Sequence, residues 1–360
     1  QGEYGRTQIR IARLIMLRAL FCLLGLMLLS GCQLGYYTHL AQGHWQLMSS
    51  ATPVAQVLEA AETDEQLKAR LQVAQSALQF AESSMALPVD GAYEDYAALD
   101  RDYVVWNLVA APALSLTPTQ WCYPVVGCAS YRGFFDLQRA ASFRAELEQQ
   151  DLDVYGSGAI AYSTLGWFDD PLTSLMIEGD PAWVAQLIFH ELVHRRLYVK
   201  GDTRFNESLA TAVAREGRRR WQAQFQNVEG ESKWSAHQRA AEQVQAWIQA
   251  ARSELEDLYA STLPDQEKLA GKARVQEALR ARYYQALEDD AVFEPWQSWF
   301  DGPLNNAQLA LRQDYLGAVP AFDALLLDCG GDMNCFWESV EQVAALSHDE
   351  RQQWIEDRIR

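Results

Sequence analysis

The chain has 360 residues, of which 48 are Asp or Glu and 30 are Lys or Arg, and its formal net charge is −18. This acidic balance argues against nucleic acid and anionic lipid surfaces as partners, because both need a cationic protein surface. The length is enough for one large core or two closely joined lobes.

The first predicted element is a secretory signal of the lipoprotein type. A basic residue at Arg18, an apolar run over 19–29 and the tetrapeptide Leu-Ser-Gly-Cys ending at Cys32 resemble a signal with a bacterial lipobox. We therefore expect residues 1–31 to be a signal peptide, with residues 1–15 an over-extended start, and Cys32 to carry lipid. The alternatives are a simple membrane anchor and an ordinary cleaved signal.

This signal implies a periplasm-facing lipoprotein of the bacterial cell envelope, held at the membrane by its lipid anchor alone. By analogy, Gln33 after the lipidated position directs the protein to the outer membrane. Four further cysteines fit an oxidising compartment. Cys122 and Cys128, like Cys329 and Cys335, enclose five residues that include glycine, so we expect two local disulfides.

Residues 32–360 are predicted to form a single domain with a helical C-terminal region. The pattern is helical over 39–86, with a break at Pro53. The middle section, rich in β-branched and aromatic residues, indicates a small sheet, with one helix near 137–149. The last short helix has the capping-box pattern Ser347-x-x-Glu350 at its start. The predicted strands cover residues 103–110, 121–126 and 152–162, and further long helices are expected over 235–260 and 265–287.

The sequence His190-Glu191-Leu-Val-His194 carries the functional prediction. Residues four apart on an α-helix point to the same side, so the two histidines can bind one Zn²⁺ ion together. Glu191 lies beside the first ligand, where it can accept a proton from a water on the metal. The motif therefore predicts the centre of a zinc hydrolase.

The helix that carries this motif is predicted to begin at Pro181, with Asp180 as its N-cap. Gly201-Asp202 offers its stop, and a new helix is expected to start within 203–206. The arginine run over 218–220 is predicted to be a solvated helix face.

A third protein ligand is needed, because catalytic zinc usually takes three side chains and a water. The metzincin spacing is absent, since Leu197 and Lys200 occupy its positions. Glu207 and Glu216 are the candidates, and their separation of nine residues puts them on roughly opposite faces of one helix. We favour Glu207, because Asn206 as an N-cap would place it in the first turn, where the helix dipole favours an ionised carboxylate.

Several long segments, in the same order along the chain, resemble the bacterial putative zinc aminopeptidase family. They lie at residues 104–116, 121–128, 131–136, 161–171, 189–194, 205–211 and 304–322. The resemblance implies an HExxH zincin-type lipoprotein, a metallopeptidase whose zinc ligands are His190, His194 and Glu207. One position departs from many related zincins, which carry an Asp four residues after the third ligand to orient a histidine, whereas this chain has Thr211.

The predicted fold class is α+β, mainly helical, with a zincin-like arrangement and a small β-sheet beside the HExxH helix. We expect peptide-bond hydrolysis with Glu191 as the general base. In similar enzymes a tyrosine hydroxyl stabilises the oxyanion. Tyr315 is the first candidate for that role, and Tyr162 is the second.

Three functions stay open from the sequence. An aminopeptidase needs an acidic group to hold the substrate ammonium, and Asp169, Asp170 and Glu178 are nearby in sequence. An envelope endopeptidase of protein quality control would also cleave peptides whose amino terminus is blocked. A non-catalytic envelope assembly factor would keep a structural zinc. The partner in the first two cases is a peptide or protein substrate.

Overall fold

The computed structural model describes residues 31–123, 127–224 and 228–359, without the side chains of 31–33 and 228–234. The chain divides into two compact units, Gln1–Ser49 and Ser50–Arg360. In the first unit the described part is helix α1, Gly31–Ser49. The predicted signal segment up to residue 30 and the side chain of Cys32 lie outside the described residues. No helix within the described ranges is both long enough and apolar enough to cross a membrane.

The second unit is mainly helical and carries small sheets, in agreement with the predicted α+β class. Its strands are β1 (Thr52–Pro53), β2 (Asp95–Ala97), β3 (Val105–Pro112), β4 (Trp121–Tyr123), β5 (Gly127–Ala129), β6 (Arg132–Phe134), β7 (Leu152–Ala159) and β8 (Leu172–Thr173). Its helices are α2 (Val54–Glu59), α3 (Glu65–Met85), α4 (Leu137–Glu148), α5 (Pro181–Arg196), α6 (Thr203–Gln224), α7 (Val228–Ala260), α8 (Asp265–Asp289), α9 (Gln297–Phe300), α10 (Asn306–Leu316), α11 (Val319–Asp328), α12 (Met333–Ala344) and α13 (His348–Ile359). Short 3₁₀ helices cover Ser174–Ile177 and Ala291–Trp296.

The central sheet has the antiparallel order β6-β3-β7. On β3, Trp106 pairs with Phe134 of β6 and with Gly158 of β7. Leu108 to Ala111 are buried, a continuous apolar run that is typical of a strand covered on both faces. Helices α4 and α10 pack against this sheet. A second sheet has the order β1-β2-β8, and β4 and β5 form a hairpin.

Two apolar clusters stabilise the helical parts of this unit. The larger one joins α3, α5, α6 and α11 to α13, and Phe189, Phe205 and Trp337 are almost fully buried in it. The smaller one lies between α7 and α8 and includes Tyr283 and Phe300, whose rings stack at 3.9 Å. Helix α5 is apolar on most of its surface because it lies inside the larger cluster.

One prediction about α5 is wrong in detail. The helix ends at Arg196 rather than near Gly201, because Leu197 is extended, with φ −149° and ψ 127°. The principal neighbours of the helix are α3 and α6, and Leu172 of β8 is buried in the same apolar cluster. The central sheet reaches the region of α5 through α10, which packs on both that sheet and α6.

The end of the chain is joined to the start of α6. The predicted capping box is present: the Ser347 amide donates to Glu350 Oε2 at 2.8 Å, and the Glu350 amide donates to Ser347 Oγ at 3.4 Å. This box begins α13, on which Arg351 is buried. Arg351 Nε donates to Asp202 Oδ2 at 2.9 Å, directly before α6.

Candidate metal centre

Helices α5 and α6 carry the candidate metal ligands and lie against each other. Asp180 caps α5, accepting hydrogen bonds from the amides of Ala182 and Trp183 at 3.1 Å each. Gly217 on α6 allows the close approach, because a Cβ there would lie 2.5 Å from Cδ2 of Phe189. The residue after that phenylalanine is His190, so this contact sets the distance between the first histidine and α6.

The turn between the two helices is closed by buried polar side chains. Asn206 Oδ1 accepts from the Val199 amide and Asn206 Nδ2 donates to the Val199 carbonyl, both at 2.8 Å. The N-cap of α6 is Asp202, which accepts from the Phe205 amide at 3.1 Å. The prediction of Asn206 as the N-cap is therefore wrong, and Glu207 lies in the second turn of α6. The two hydrogen bonds between Asn206 and Val199 still hold this turn so that Glu207 faces α5.

Three predicted ligands come together in this arrangement. Glu207 Oε2 lies 3.3 Å from His190 Nε2 and 3.6 Å from His194 Nε2. One donor atom from each residue lies within 4.8 Å of the others. Ligand atoms at about 2 Å from a tetrahedral zinc ion are separated by roughly 3.3 Å. The spacing of the three side chains therefore fits a single metal ion.

The electrostatics of this group also fit a cation. Burial by itself raises the pKa of Glu207, but His194 and His190 outweigh it and hold that pKa well below its usual range. Burial lowers the pKa of His194, and the Glu207 carboxylate reverses this to a net increase. Among the described residues, the buried atoms Glu207 Oε2 and His194 Nδ1 have no hydrogen-bond partner of good geometry. A buried carboxylate oxygen left in this way suits a metal ligand.

The alternative ligand, Glu216, is occupied elsewhere. Its carboxylate accepts from Arg219 at 2.7 Å and from Arg220 at 2.6 Å. The predicted solvated face over 218–220 is also only partly correct: the Arg218 side chain is 13% exposed and donates to Gln186 Oε1 at 3.1 Å. Of the two candidate acids, Glu207 is therefore the one that lies with the two histidines.

Glu191 lies beside the metal group with a shifted acidity. Burial raises its pKa, and the charges of Glu207 and Asp170 raise it further, while His190 and His194 act in the opposite direction. A carboxylate with a raised pKa accepts and returns a proton nearer to neutral pH than an exposed one does. The direction of this shift in the pKa of Glu191 is the one that suits a general base.

The two predicted tyrosines lie in different surroundings. The Tyr315 ring stacks on His190, with centroids 6.0 Å apart and an interplanar angle of 9°. Burial raises the pKa of Tyr315 well above its usual value, and Glu207 adds to this effect, so its hydroxyl stays protonated as a donor. The Tyr162 ring instead packs edge to face on Phe135 at 5.1 Å. Tyr162 as a catalytic group stays a prediction.

Three further tyrosines surround the group and were missed from the sequence. Tyr198 packs edge to face on His194 at 6.4 Å, and burial and Glu207 raise its pKa to about 12. Burial raises the pKa of Tyr131, and the charge of Glu207 raises it further. Burial also raises the pKa of Tyr93, and there the charge of Glu191 is the next cause. Tyr131 lies in one of the segments that carry the family resemblance, which was the one available signal.

Asp170 is the acidic side chain that the structure brings toward Glu191. It is 2% exposed, and its Oδ2 accepts from the amide and the hydroxyl of Thr164 at 2.7 and 2.9 Å. Its charge raises the pKa of Glu191. The Asp169 side chain, by contrast, is 72% exposed and lies 4.0 Å from Arg195 Nη2. Of these two acids, Asp170 is therefore the one near the candidate site.

A hydrogen-bonded group connects Glu207 to α10. Ser208 Oγ donates to the Asp314 carbonyl at 2.9 Å and accepts from the Ala318 amide at 3.1 Å. The Asp314 carboxylate accepts from Ser130 Oγ at 2.5 Å. These contacts fix α10 against α6 and thereby position Tyr315.

Both predicted disulfides are present. Cys329 and Cys335 are joined at the α11–α12 turn, and Cys122 and Cys128 are opposite partners in the β4–β5 hairpin. Gly127 in this hairpin has φ +81°, and a Cβ there would lie 2.8 Å from the Gly201 amide. The hairpin therefore lies against the turn that connects the two ligand helices.

A buried His–His–Glu group with a second glutamate beside the first histidine is the arrangement that metal-dependent hydrolases use. In the comparison with known families, the family described as "Putative aminopeptidase" matches residues 35–355. The chain belongs to that family. No curated protein and no solved structure matches the chain significantly.

Proposed function

We propose that this protein is a zinc-dependent aminopeptidase. The observation that carries the proposal is the convergence of His190, His194 and Glu207 within 4.8 Å, in a chain of an aminopeptidase family. Two imidazoles and one carboxylate are a donor set of catalytic zinc sites, which leave a fourth position for water or substrate. The zincin-type mechanism of the HExxH motif is part of this proposal.

When bound by these side chains, zinc acidifies water and polarises a substrate carbonyl. Glu191 takes the proton released in the attack on the peptide bond and holds it on its carboxylate. The raised pKa of Glu191 favours this protonated state, from which the proton passes to the departing amine. Tyr315 donates its hydroxyl proton in a hydrogen bond to the oxygen that gains negative charge.

Asp170 supports the assignment as an aminopeptidase rather than an endopeptidase. A buried carboxylate whose charge reaches Glu191 is suited to attract the free ammonium group of a substrate into the site. The acidic surroundings of Glu191 and Glu207 act in the same direction, because they favour a positively charged group near the scissile bond.

The test compares the tripeptide Leu-Gly-Gly with its N-acetylated form, using wild-type protein and the Glu191→Gln variant. We expect wild-type protein to release leucine from the free peptide alone. The variant should retain bound zinc, measured by elemental analysis, while hydrolysis falls by at least about 10³-fold, since the amide accepts no proton.

Equal cleavage of the free and acetylated peptides would show an endopeptidase. Unchanged hydrolysis in the variant would exclude Glu191 as the base. Stoichiometric zinc without hydrolysis of any peptide in a library would favour a non-catalytic envelope factor that keeps a structural zinc.

We also propose that the protein is an outer-membrane lipoprotein facing the periplasm, anchored through Cys32. The lipobox-like sequence ending at Cys32 and two disulfides support an exported protein. Labelling cells with a radioactive fatty acid should mark the wild-type protein and leave the Cys32→Ala variant unmarked. Label in both proteins would contradict the anchor.

A further inference from the structure

A large cleft extends along the same helices that carry the metal group. Its volume is about 1510 Å³, and it lies between α3, α5, α6, α7, α10 and the 3₁₀ helix Ala291–Trp296. Pockets for drug-sized molecules measure roughly 300–1,000 Å³. The cleft therefore has room for several residues of a peptide.

The charge of this cleft is opposite to that of the protein as a whole. Arg215, Arg218 and Arg312 line it, together with His237. Among the described lining residues Asp180 is the one acid, and its side chain is 61% exposed at a distance of 3.7 Å from Arg218 Nη2. Three arginines in one cleft of a chain with net charge −18 indicate an anionic ligand.

Two of these arginines are held close enough to affect each other. Burial and then the charge of Arg215 lower the pKa of Arg312 to about 10. Burial also lowers the pKa of Arg215, with Asp323 and Glu242 opposing it. Arg312 Nε donates to Gln245, a neutral partner, at 3.3 Å. Arg215 has carboxylates nearby, whereas burial and the charge of Arg215 both disfavour the charged form of Arg312. An anion in the cleft would stabilise the charge of Arg312.

The remaining walls of the cleft are partly aromatic. Trp183, Trp221 and Trp296 line it from α5, α6 and the 3₁₀ helix. Their rings offer flat apolar surface beside the guanidinium groups. A ligand with apolar parts and one anionic group, such as a peptide, matches this combination.

The distance between the cleft and the metal group can be estimated along three helices that carry residues of both. On α5, Gln186 in the cleft precedes His190 by four residues, about 6 Å along the axis. On α10, Arg312 precedes Tyr315 by three residues, about 4.5 Å. On α6, Arg215 follows Glu207 by eight residues, about 12 Å. An extended peptide covers about 3.3–3.6 Å per residue, so two to four residues span the interval.

Resting on the proposed aminopeptidase function, we propose that this arginine cleft, defined by Arg215, Arg218 and Arg312, binds the C-terminal carboxylate of the substrate. The substrate class is then short unblocked peptides of about two to four residues, with the amino group at the metal centre and the carboxylate at the arginines. Long chains and C-terminally blocked peptides are poor substrates.

The experiment measures binding with the Glu191→Gln protein, loaded with zinc, so that the peptide stays intact. Calorimetry compares three probes: Leu-Gly-Gly, Leu-Gly-Gly-amide, and Leu-Gly-Glu-amide, whose anion is a side-chain carboxylate. We expect the free acid to bind about 10- to 100-fold more tightly than either amide, as for a hydrogen bond to a charged group.

Matched variants in the same Glu191→Gln background test the arginines. Arg215→Gln should reduce the difference between acid and amide to less than about 3-fold. Arg219→Gln is the control, because Arg219 is on the same helix but 59% exposed and paired with Glu216, and it should keep the full difference. Steady-state kinetics of the corresponding active proteins should show the acid preference mainly in KM.

Equal binding of the acid and Leu-Gly-Gly-amide, or no binding of the acid, overturns the proposal even if Arg215→Gln does not fold. Tight binding of Leu-Gly-Glu-amide assigns the cleft to side-chain carboxylates and overturns the C-terminal assignment. If the free acid binds more tightly than the amide but wild-type protein hydrolyses neither, the proposed function is refuted and the carboxylate site in the cleft stands. If wild-type protein hydrolyses the peptide but the acid and the amide bind equally, the carboxylate site is refuted and the proposed function stands.

Discussion

The metal centre and the arginine cleft are built on the same three helices, α5, α6 and α10, yet they differ in charge. The metal end gathers Glu191, Glu207 and Asp170. The lining of the other end carries three arginines and one exposed acid, with two further carboxylates near Arg215. A zwitterionic peptide has the matching polarity, with an ammonium at one end and a carboxylate at the other. Under the proposed function, these three helices recognise both ends of a short substrate.

The largest effect should come from removing the acidic ligand at the metal end, and it should appear in the zinc affinity. Glu207→Gln removes the charged donor, and we expect zinc affinity to fall by at least about 100-fold. Glu216→Gln, on the same helix but paired with Arg219 and Arg220, should leave zinc affinity within about 3-fold. Competition with a fluorescent zinc chelator measures both. A loss in Glu216→Gln equal to that in Glu207→Gln would contradict the ligand assignment.

A smaller effect should come from Tyr315, which lies on α10 between the two ends. Tyr315→Phe keeps the ring on His190 but removes the hydroxyl donor, so kcat should fall by about 100-fold while zinc content and KM change little. Tyr162→Phe is the matched comparison, because its ring packs on Phe135. Steady-state kinetics on Leu-Gly-Gly would decide between them. A larger loss in Tyr162→Phe would reverse the assignment.

The smallest effect concerns the free energy of unfolding and comes from Asp314, which lies on α10 next to Tyr315. Burial raises the pKa of Asp314 to about 6, with Glu207 adding to it and Ser130 opposing it. A carboxyl whose folded pKa is raised stabilises the fold fully below about pH 3.8, and this contribution is lost as pH rises through about 6. At about pH 7.5 the ionised side chain therefore costs at most about 3 kcal/mol.

Asp314→Asn should therefore stabilise the metal-free protein at about pH 7.5, and this gain should shrink to roughly a third at about pH 4.5. Urea unfolding at the two pH values measures the difference. A gain that is equal at both pH values would show that the effect arises from packing rather than from ionisation.

The metal helix could be predicted from the sequence because its information is local. The spacing of His190 and His194, the cap at Asp180 and the first position at Pro181 all act within one helix, and the structure has each where the sequence put it. The small sheet followed from β-branched and aromatic runs for the same reason. Residues 124–126 of one predicted strand lie outside the described residues.

The rest depended on contacts between distant segments. Asn206 bonds to Val199 instead of capping its helix, because a buried backbone group competes for the same side chain. Tyr131, directly before β6, comes near enough to affect Glu207 only in the folded chain. The same holds for Arg215 on α6 and Arg312 on α10. The arginine run over 218–220 resembled a solvated face because its partner Gln186 is 32 residues away from Arg218.

The ion pair between Asp202 and Arg351 extends the functional unit to the last helix. The family match reaches residue 355, which lies within α13. A truncation that ends near residue 325 would remove that helix. Such a truncation would strip the guanidinium from a carboxylate that is 3% exposed at the first turn of the ligand helix. An unpaired ion buried there destabilises by several kcal/mol. A fragment that keeps the candidate metal centre intact must therefore retain α13.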